Sequence, residues 1–396
     1  MHDTLTRRAT LGWLAAIGAT GVALPARLAL AATPVNAQAQ DRRLVVVLLR
    51  GALDGLAAVP APGDPAWSAL RPEVEPAGTN APALRLDNTF SLHPSLAQLH
   101  RWYEQRELLV VHATASPYRE RSHFDAQQLL ESGGERPFVL DTGWLGRALQ
   151  LGGHAAMAMT AAMPLALRGA QAASTWTPDR RKGLDQDLMS RVSQLYQDDP
   201  QLASAFAQAM GQQDMASAAH GGAGLENLAG QAGRFLADPK GPRVAWLETT
   251  GWDTHANQAM RLGRLLKGLD DGLASLRQEL GAHWANTVLL VLTEFGRSAA
   301  FNGTGGTDHG TGGIALVAGG AVAGGKVLTD WPGLSPRQLL DGRDLRPTID
   351  LRAVIAPLVE HQFGLTAAQV HTSIFPNLVR RNIELIRSPD VRSRST

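Results

Sequence analysis

Late in the chain, TEFGRSAAFNGTGGTDHG (293–310) sets Glu294 and Arg297 just after an apolar run and brings an Asp308-His309 pair to the end of a glycine-rich loop. Three earlier stretches carry residues of the same kind. GALDG (51–55) holds Asp54, RSHFD (121–125) holds Arg121 and Ser122, and GWDTHAN (251–257) holds Asp253-x-His255. Carboxylates and imidazoles are the oxygen and nitrogen donors of divalent-metal sites. A serine beside arginines suits nucleophilic attack on an anion, or a grip on it. With no cysteine in the chain, thiolate ligands, a thiol nucleophile and disulfides are excluded together.

Each of these residues has a functional and a plain reading. Side chains at i and i+2 of an extended segment point the same way, so Asp253 and His255 can reach one cation; alternatively Asp253 caps the helix that follows. Adjacent strand residues point apart, but Gly305, Gly306 and Gly310 relax that limit for Asp308 and His309. One of the pair can then ligate while the other bonds from behind, or the two form a polar turn. Glu294 closes a buried strand, where an unpaired carboxylate is costly, so it requires Arg297, a metal or water. Ser122 is either a nucleophile at a helix N-terminus or an N-cap forming a capping box with Asp125. Arg121, with Arg119, suits a phosphate or sulfate group, or is simply solvated.

The elements that must position these residues follow from periodicity. LVVVLLR (44–50), LLVVHATAS (108–116), RVAWLETT (243–250), TVLLVLT (287–293) and GIALVAGG (313–320) are apolar runs of strand length, the mark of strands buried on both faces. Helical spacing marks SLAQLHRWYEQ (95–105), DAQQLLESG (125–133), the leucines of 260–280 and IDLRAVIAPLVEHQFG (349–364). Alternating strands and helices predict a doubly wound α/β fold with a mostly parallel sheet and helices on both faces. The candidate residues then all follow strands, at the carboxyl edge where open α/β sheets bind ligands. Residues 44–390 read as one domain, with a mostly helical insertion at about 160–240 that includes DQDLMSRVSQLYQ.

Before that domain, Thr6-Arg7-Arg8 precedes a moderately apolar stretch ending in small residues near Ala31, the pattern of a twin-arginine (Tat) export signal over residues 1–31. Gly12, Gly18, Gly21 and Pro25 make it a poor membrane span, and 32–43 reads as a linker. A formal net charge of +1 offers no electrostatic case for nucleic acid or an anionic membrane surface. GGAVAGG (319–325) lacks the strand-to-helix setting of a dinucleotide fingerprint.

LLRGALDGL, GDPAWSALRP, LHPSLAQL, SHFDAQQLLESG, GWLGRAL, GWDTHANQ, LTEFGR and NGTGGTDHG, in this order, resemble the Tat-exported bacterial family called domain of unknown function 1501, over roughly residues 44–370. That family looks like a branch of the alkaline-phosphatase and sulfatase-like superfamily, which implies an alkaline-phosphatase-like doubly wound sheet and metal-dependent hydrolysis. By resemblance, Asp54 matches a first metal ligand and Ser122 the nucleophile position. Asp253 and His255 match a middle ligand pair, Glu294 the following acid, and His309, with Asp308, a late ligand. Three departures stand out: D-x-H replaces the usual D-x-x-x-H, Glu294-Phe295 stands where Asp-His is usual, and no C/S-x-P-x-R motif is present.

The expectation is an exported, periplasmic or secreted hydrolase of phosphate or sulfate esters, requiring a divalent metal from the set zinc, calcium, magnesium and manganese. Its metal ligands come from Asp54, Asp253, His255, Glu294, Asp308 and His309, with Ser122, Arg297 and Arg121 in catalytic roles. Its partners are a small anionic ester or a sulfated or phosphorylated glycan, and the Tat translocon during export, with neither nucleic acid nor a stable membrane anchor. The alternative is a non-catalytic exported binding or assembly protein on a degenerate scaffold of the same kind.

Overall fold

RLVVVLL (Arg43–Leu49) forms β1, and all seven of its residues are buried. Its β-branched and leucine side chains find apolar partners on both faces, and that condition places the strand inside a sheet rather than at its edge. The computed structural model describes residues 41–72, 81–178, 196 and 224–387. The twin-arginine segment lies outside these, as does the expected helix in DQDLMSRVSQLYQ apart from Tyr196.

β1 pairs in parallel with β7 (Val244–Thr249) on one side and β8 (Thr287–Thr293) on the other. Beyond β7 lie β5 (Ala156–Ala158) and β6 (Ala173–Thr175), both in parallel. Beyond β8 come β9 (Gly313–Ala318), β4 (Leu108–Ala115) and β10 (Lys326–Leu328), with β11 (Ile349–Asp350) also beside β4. β9 runs antiparallel to both β8 and β4, whereas the other pairings in this nine-stranded sheet are parallel. Leu84–Arg85 (β2) and Ser91–Leu92 (β3) form a separate small hairpin.

The helices include α1 (Gly55–Ala58), α2 (Ala97–Glu104), α3 (His123–Ser132), α4 (Trp144–Gly152), α5 (Leu225–Ala237), α6 (Gln258–Leu280) and α7 (Leu351–Phe363). Leu44, Val46 and Leu48 face Trp144 and Leu145 of α4 and Val354 and Leu358 of α7. The other β1 face, Val45, Val47 and Leu49, packs with α2, α5 and the α6 leucines 262, 266, 269, 273 and 276. Those leucines recur every three or four residues, so one stripe of α6 is buried, each side chain contributing roughly 1.5–3 kcal/mol.

Mostly parallel strands with helices on both faces agree with the sequence reading. The direction of β9 adds to it. A strand running backwards begins at the edge where its neighbours end, so the chain from β8 to β9 turns around at the carboxyl edge without crossing a face. Residues 294–312, with Asp308 and His309, are held there.

Candidate metal centre

Three strand ends supply the centre. After β4 the chain turns at Arg121, whose φ is +60°, and enters α3 with His123 as its first residue. After β7, Asp253 and His255 stand in the loop before α6, whose N-cap is Asn257, so Asp253 is not the cap of that helix. After β8, the glycine-rich loop returns His309 to the same place.

His309 Nε2 lies 3.0 Å from His123 Nε2 and 3.0 Å from His255 Nε2. Asp253 Oδ1 is 3.0 Å from His255 Nε2 and 3.3 Å from His309 Nε2, and Asp253 Oδ2 is 3.6 Å from His123 Nε2. Each imidazole is held from behind at Nδ1. His123 meets Glu294 Oε1 at 2.8 Å, His255 meets Asp308 Oδ1 at 3.3 Å, and His309 meets the Arg121 carbonyl at 3.0 Å. A carboxylate or a carbonyl can only accept, so each Nδ1 carries the proton and each Nε2 of the neutral ring presents a lone pair. Lone pairs of neutral rings facing one another across 3.0 Å repel, and the contact becomes attractive when a cation lies among them, either a metal ion or a proton on His123, whose Nε2–H then donates to His309. Bonds of about 2.0–2.1 Å to a tetrahedral ion set ligand atoms roughly 3.3–3.4 Å apart, close to the separations found. The donor set therefore fits a metal. His123, Asp253 and His309 offer atoms that all lie within 4.8 Å of one another.

Electrostatics supports the same arrangement. Burial pushes the Asp253 carboxyl up, but Arg297, donating from Nη1 to Oδ1 at 2.6 Å, holds it below the usual carboxylate range. Burial likewise raises Glu294, and hydrogen bonds from His123 and Gln127 and from the Gly51 N–H outweigh it, leaving Glu294 ionised at neutral pH. The bond to Glu294 pushes His123 up. Burial, then the positive charge of a protonated His123, pushes His309 down. Two rings in contact do not both take a proton. Phe295, stacked on His123 at 4.8 Å between ring centroids, walls the centre, while Asp253 and His255 keep over 40% of their side chains exposed.

Of the residues singled out from sequence, Asp253, His255 and His309 come together, with Asp308 and Glu294 directly behind two of the imidazoles. Glu294 and Arg297 form no ion pair with each other; Arg297 is buried and gives its guanidinium to Asp253 and Thr307. Arg121 is committed to Asp344, with Nε and Nη2 donating to Oδ2 at 3.0 and 2.8 Å. Asp54 is occupied elsewhere. Arg71 Nη1 and Nη2 donate to its two oxygens at 2.8 and 3.2 Å, Gln258 Nε2 at 2.6 Å and the Ala57 N–H at 3.1 Å. Ser122 occupies the N-cap of α3, but its hydroxyl makes no capping bond and Asp125 bonds Tyr118 instead, so the expected capping box is not formed.

His123 is the member that sequence reasoning passed over. It follows a strand at the carboxyl edge as the other candidates do, yet it is absent from the ligand set expected from sequence. Gly51 is a second omission. Its φ is +117°, its N–H holds Glu294 at 2.7 Å, and a Cβ there would stand 2.6 Å from the Asp253 nitrogen.

A family model described as "Protein of unknown function (DUF1501)" matches residues 41–375, and the chain belongs to that family. No curated protein matches the sequence. Three solved structures illustrate the structural likeness. The C-terminal periplasmic domain of EcEptC from Escherichia coli, in complex with Zn, is 11% identical over 70% of this chain and 73% of that one, with a TM-score of 0.37. Alkaline phosphatase from the Antarctic bacterium TAB5 is 11% identical over 72% and 94%, at 0.36. Ps i-CgsB, in complex with k-i-k-neocarrahexaose, is 9% identical over 82% and 72%, at 0.42. So distant a likeness carries no inference about chemistry, which rests on the geometry above.

Proposed function

We propose that this member of the DUF1501 family is an exported, metal-dependent hydrolase of phosphate or sulfate esters, its cation held by His123, His255, His309 and Asp253. The observation that carries this reading is that His309 Nε2 meets His123 Nε2 and His255 Nε2 at 3.0 Å beside the Asp253 carboxylate, each ring fixed from behind by an acceptor. Three nitrogens and a carboxylate oxygen suit zinc or a neighbouring transition metal; calcium and magnesium favour oxygen alone. Such an ion, when bound, neutralises an anionic ester and acts as a Lewis acid.

The chain's own residues keep that centre ready. Arg297 keeps Asp253 ionised. Glu294, Asp308 and the Arg121 carbonyl hold the imidazoles in one tautomer and one orientation. Ser122, whose hydroxyl is not spent on capping, stands next to His123 and is the group at hand to attack the ester or to orient a water. The substrate class is a small anionic ester or a sulfated or phosphorylated glycan. Export by the Tat route rests on the Arg7-Arg8 pattern; no helix among the described residues is long and apolar enough to cross a membrane.

Metal analysis of purified, untagged protein, followed by a screen of phospho- and sulfo-esters, tests the reading. About one equivalent of a transition metal is expected, lost on Asp253→Ala or His309→Ala, with ester cleavage in the loaded form. Protein that neither carries nor takes up such a metal would sink it. A metal-loaded protein inactive on every ester would favour the second reading, a binding protein without turnover. The sealing of Asp54 by Arg71 supports that second reading, because it removes one carboxylate from any wider ligand set.

A further inference from the structure

Arg121 adopts φ +60°, a left-handed conformation that a residue with a side chain seldom takes without something to hold it there. The turn aims its carbonyl at His309 Nδ1, 3.0 Å away. Its guanidinium is anchored to Asp344, a carboxylate with no solvent exposure. The Asp344 Oδ2 that accepts from Arg121 also accepts from Thr311 Oγ1 at 2.8 Å. The other oxygen lies 3.2 Å from Arg343 Nη1, and Arg343 Nη2 donates to the His309 carbonyl at 2.8 Å. The ring of His309 and its backbone are thus both tied, through different arginines, to one buried carboxylate from a distant part of the chain.

We propose that Asp344 is a positioning residue that sets the orientation of His309 by holding Arg121 in its left-handed turn. This rests on the reading of His309 as a metal ligand. Asp344 touches neither metal nor substrate; its effect passes through the Arg121 carbonyl. Outer partners of a ligating histidine typically govern 10- to 100-fold in metal affinity, and a similar share is expected here.

The test compares the full-length protein with Asp344→Asn, Arg121→Ala and Arg121→Gly. Zinc affinity is measured by competition with a chelator, the Co²⁺ ligand-field spectrum reports coordination, and thermal unfolding of the metal-free forms monitors the fold. Asp344→Asn and Arg121→Ala should each weaken zinc binding about 10- to 100-fold and alter the Co²⁺ spectrum. Arg121→Gly also loses the anchor, but glycine enters the left-handed turn without strain, so it should recover most of what Arg121→Ala loses. A purely structural role would not produce that order. If Asp344→Asn fails to fold, the Ala and Gly pair decides alone. Zinc binding within about threefold of wild type in Arg121→Ala, or glycine no better than alanine, overturns the proposal. Wild-type protein that takes up no zinc overturns the metal reading and this inference with it.

Discussion

At the scale of single residues, proton placement decides what His123, His255 and His309 can do. Glu294→Gln keeps an acceptor near His123 Nδ1 but removes its charge, so zinc affinity should fall about 10- to 100-fold with the fold intact, as read by competition titration. Unchanged affinity would mean that Glu294 does not orient that ring. Asp54 makes the opposite kind of prediction. Its charge serves stability, being 1% exposed and clasped by Arg71, so Arg71→Met should destabilise the protein by about 3–5 kcal/mol. Urea unfolding measures this, and metal content at low denaturant should hold. Residue types and strand-end positions were enough to bring forward Asp253, His255, Glu294, Asp308 and His309. They could not separate Asp54 from this group, since its partner Arg71 is an unremarkable basic residue seventeen positions on. Nor could they assign His123 a ligand role, because a histidine at a helix start has the same appearance whether or not it faces a metal.

At the scale of elements, the loop from 294 to 312 is as constrained as the strands it joins. A Cβ on Gly310 would stand 2.3 Å from the Arg297 carbonyl carbon, and one on Gly306 would stand 2.3 Å from that of His255. Both neighbours are backbone and cannot swing aside. Gly310→Ala should therefore shift the His309 segment, costing about 1–3 kcal/mol of stability and weakening metal binding together. A variant that loses stability yet binds metal normally would show that the loop gives elsewhere. The main strands were legible because apolar runs of strand length can hardly sit anywhere but inside a covered sheet. The reversal of β9 was not, because its burial pattern is the same in either direction; its orientation follows from the turnaround before it. β5, β6, β10 and β11 have two or three residues each, too few for a periodicity.

For the molecule as a whole, buried neutral histidines give acid sensitivity. His112 has no solvent exposure; its ring stacks on Phe90, and Nε2 donates to the Val59 carbonyl at 3.0 Å. Burial pushes both His112 and His93 down to about 4. Unfolded, these rings take up a proton near pH 6.5, which the folded protein refuses until near pH 4. Their contribution is complete above about pH 6.5, declines as the pH falls toward 4, and declines no further below it. For His112 the loss is on the order of 3 kcal/mol. Urea unfolding at pH 7.5, 5.5 and 4.5 checks this; a flat profile would contradict it.

β1 is the earliest of the long strands in the chain and lies between neighbours that come much later, at residues 244–249 and 287–293. On a ribosome adding about 5–20 residues per second, it waits roughly ten to forty seconds for the nearer of them. Through that interval a seven-residue strand with six apolar residues and two unpaired edges is open to any similar segment of another nascent chain. Holdase supply and translation speed should therefore govern the recovered yield of intact protein more strongly than any change at the His123, Asp253 and His309 cluster, which is assembled only after β8 has been threaded into place.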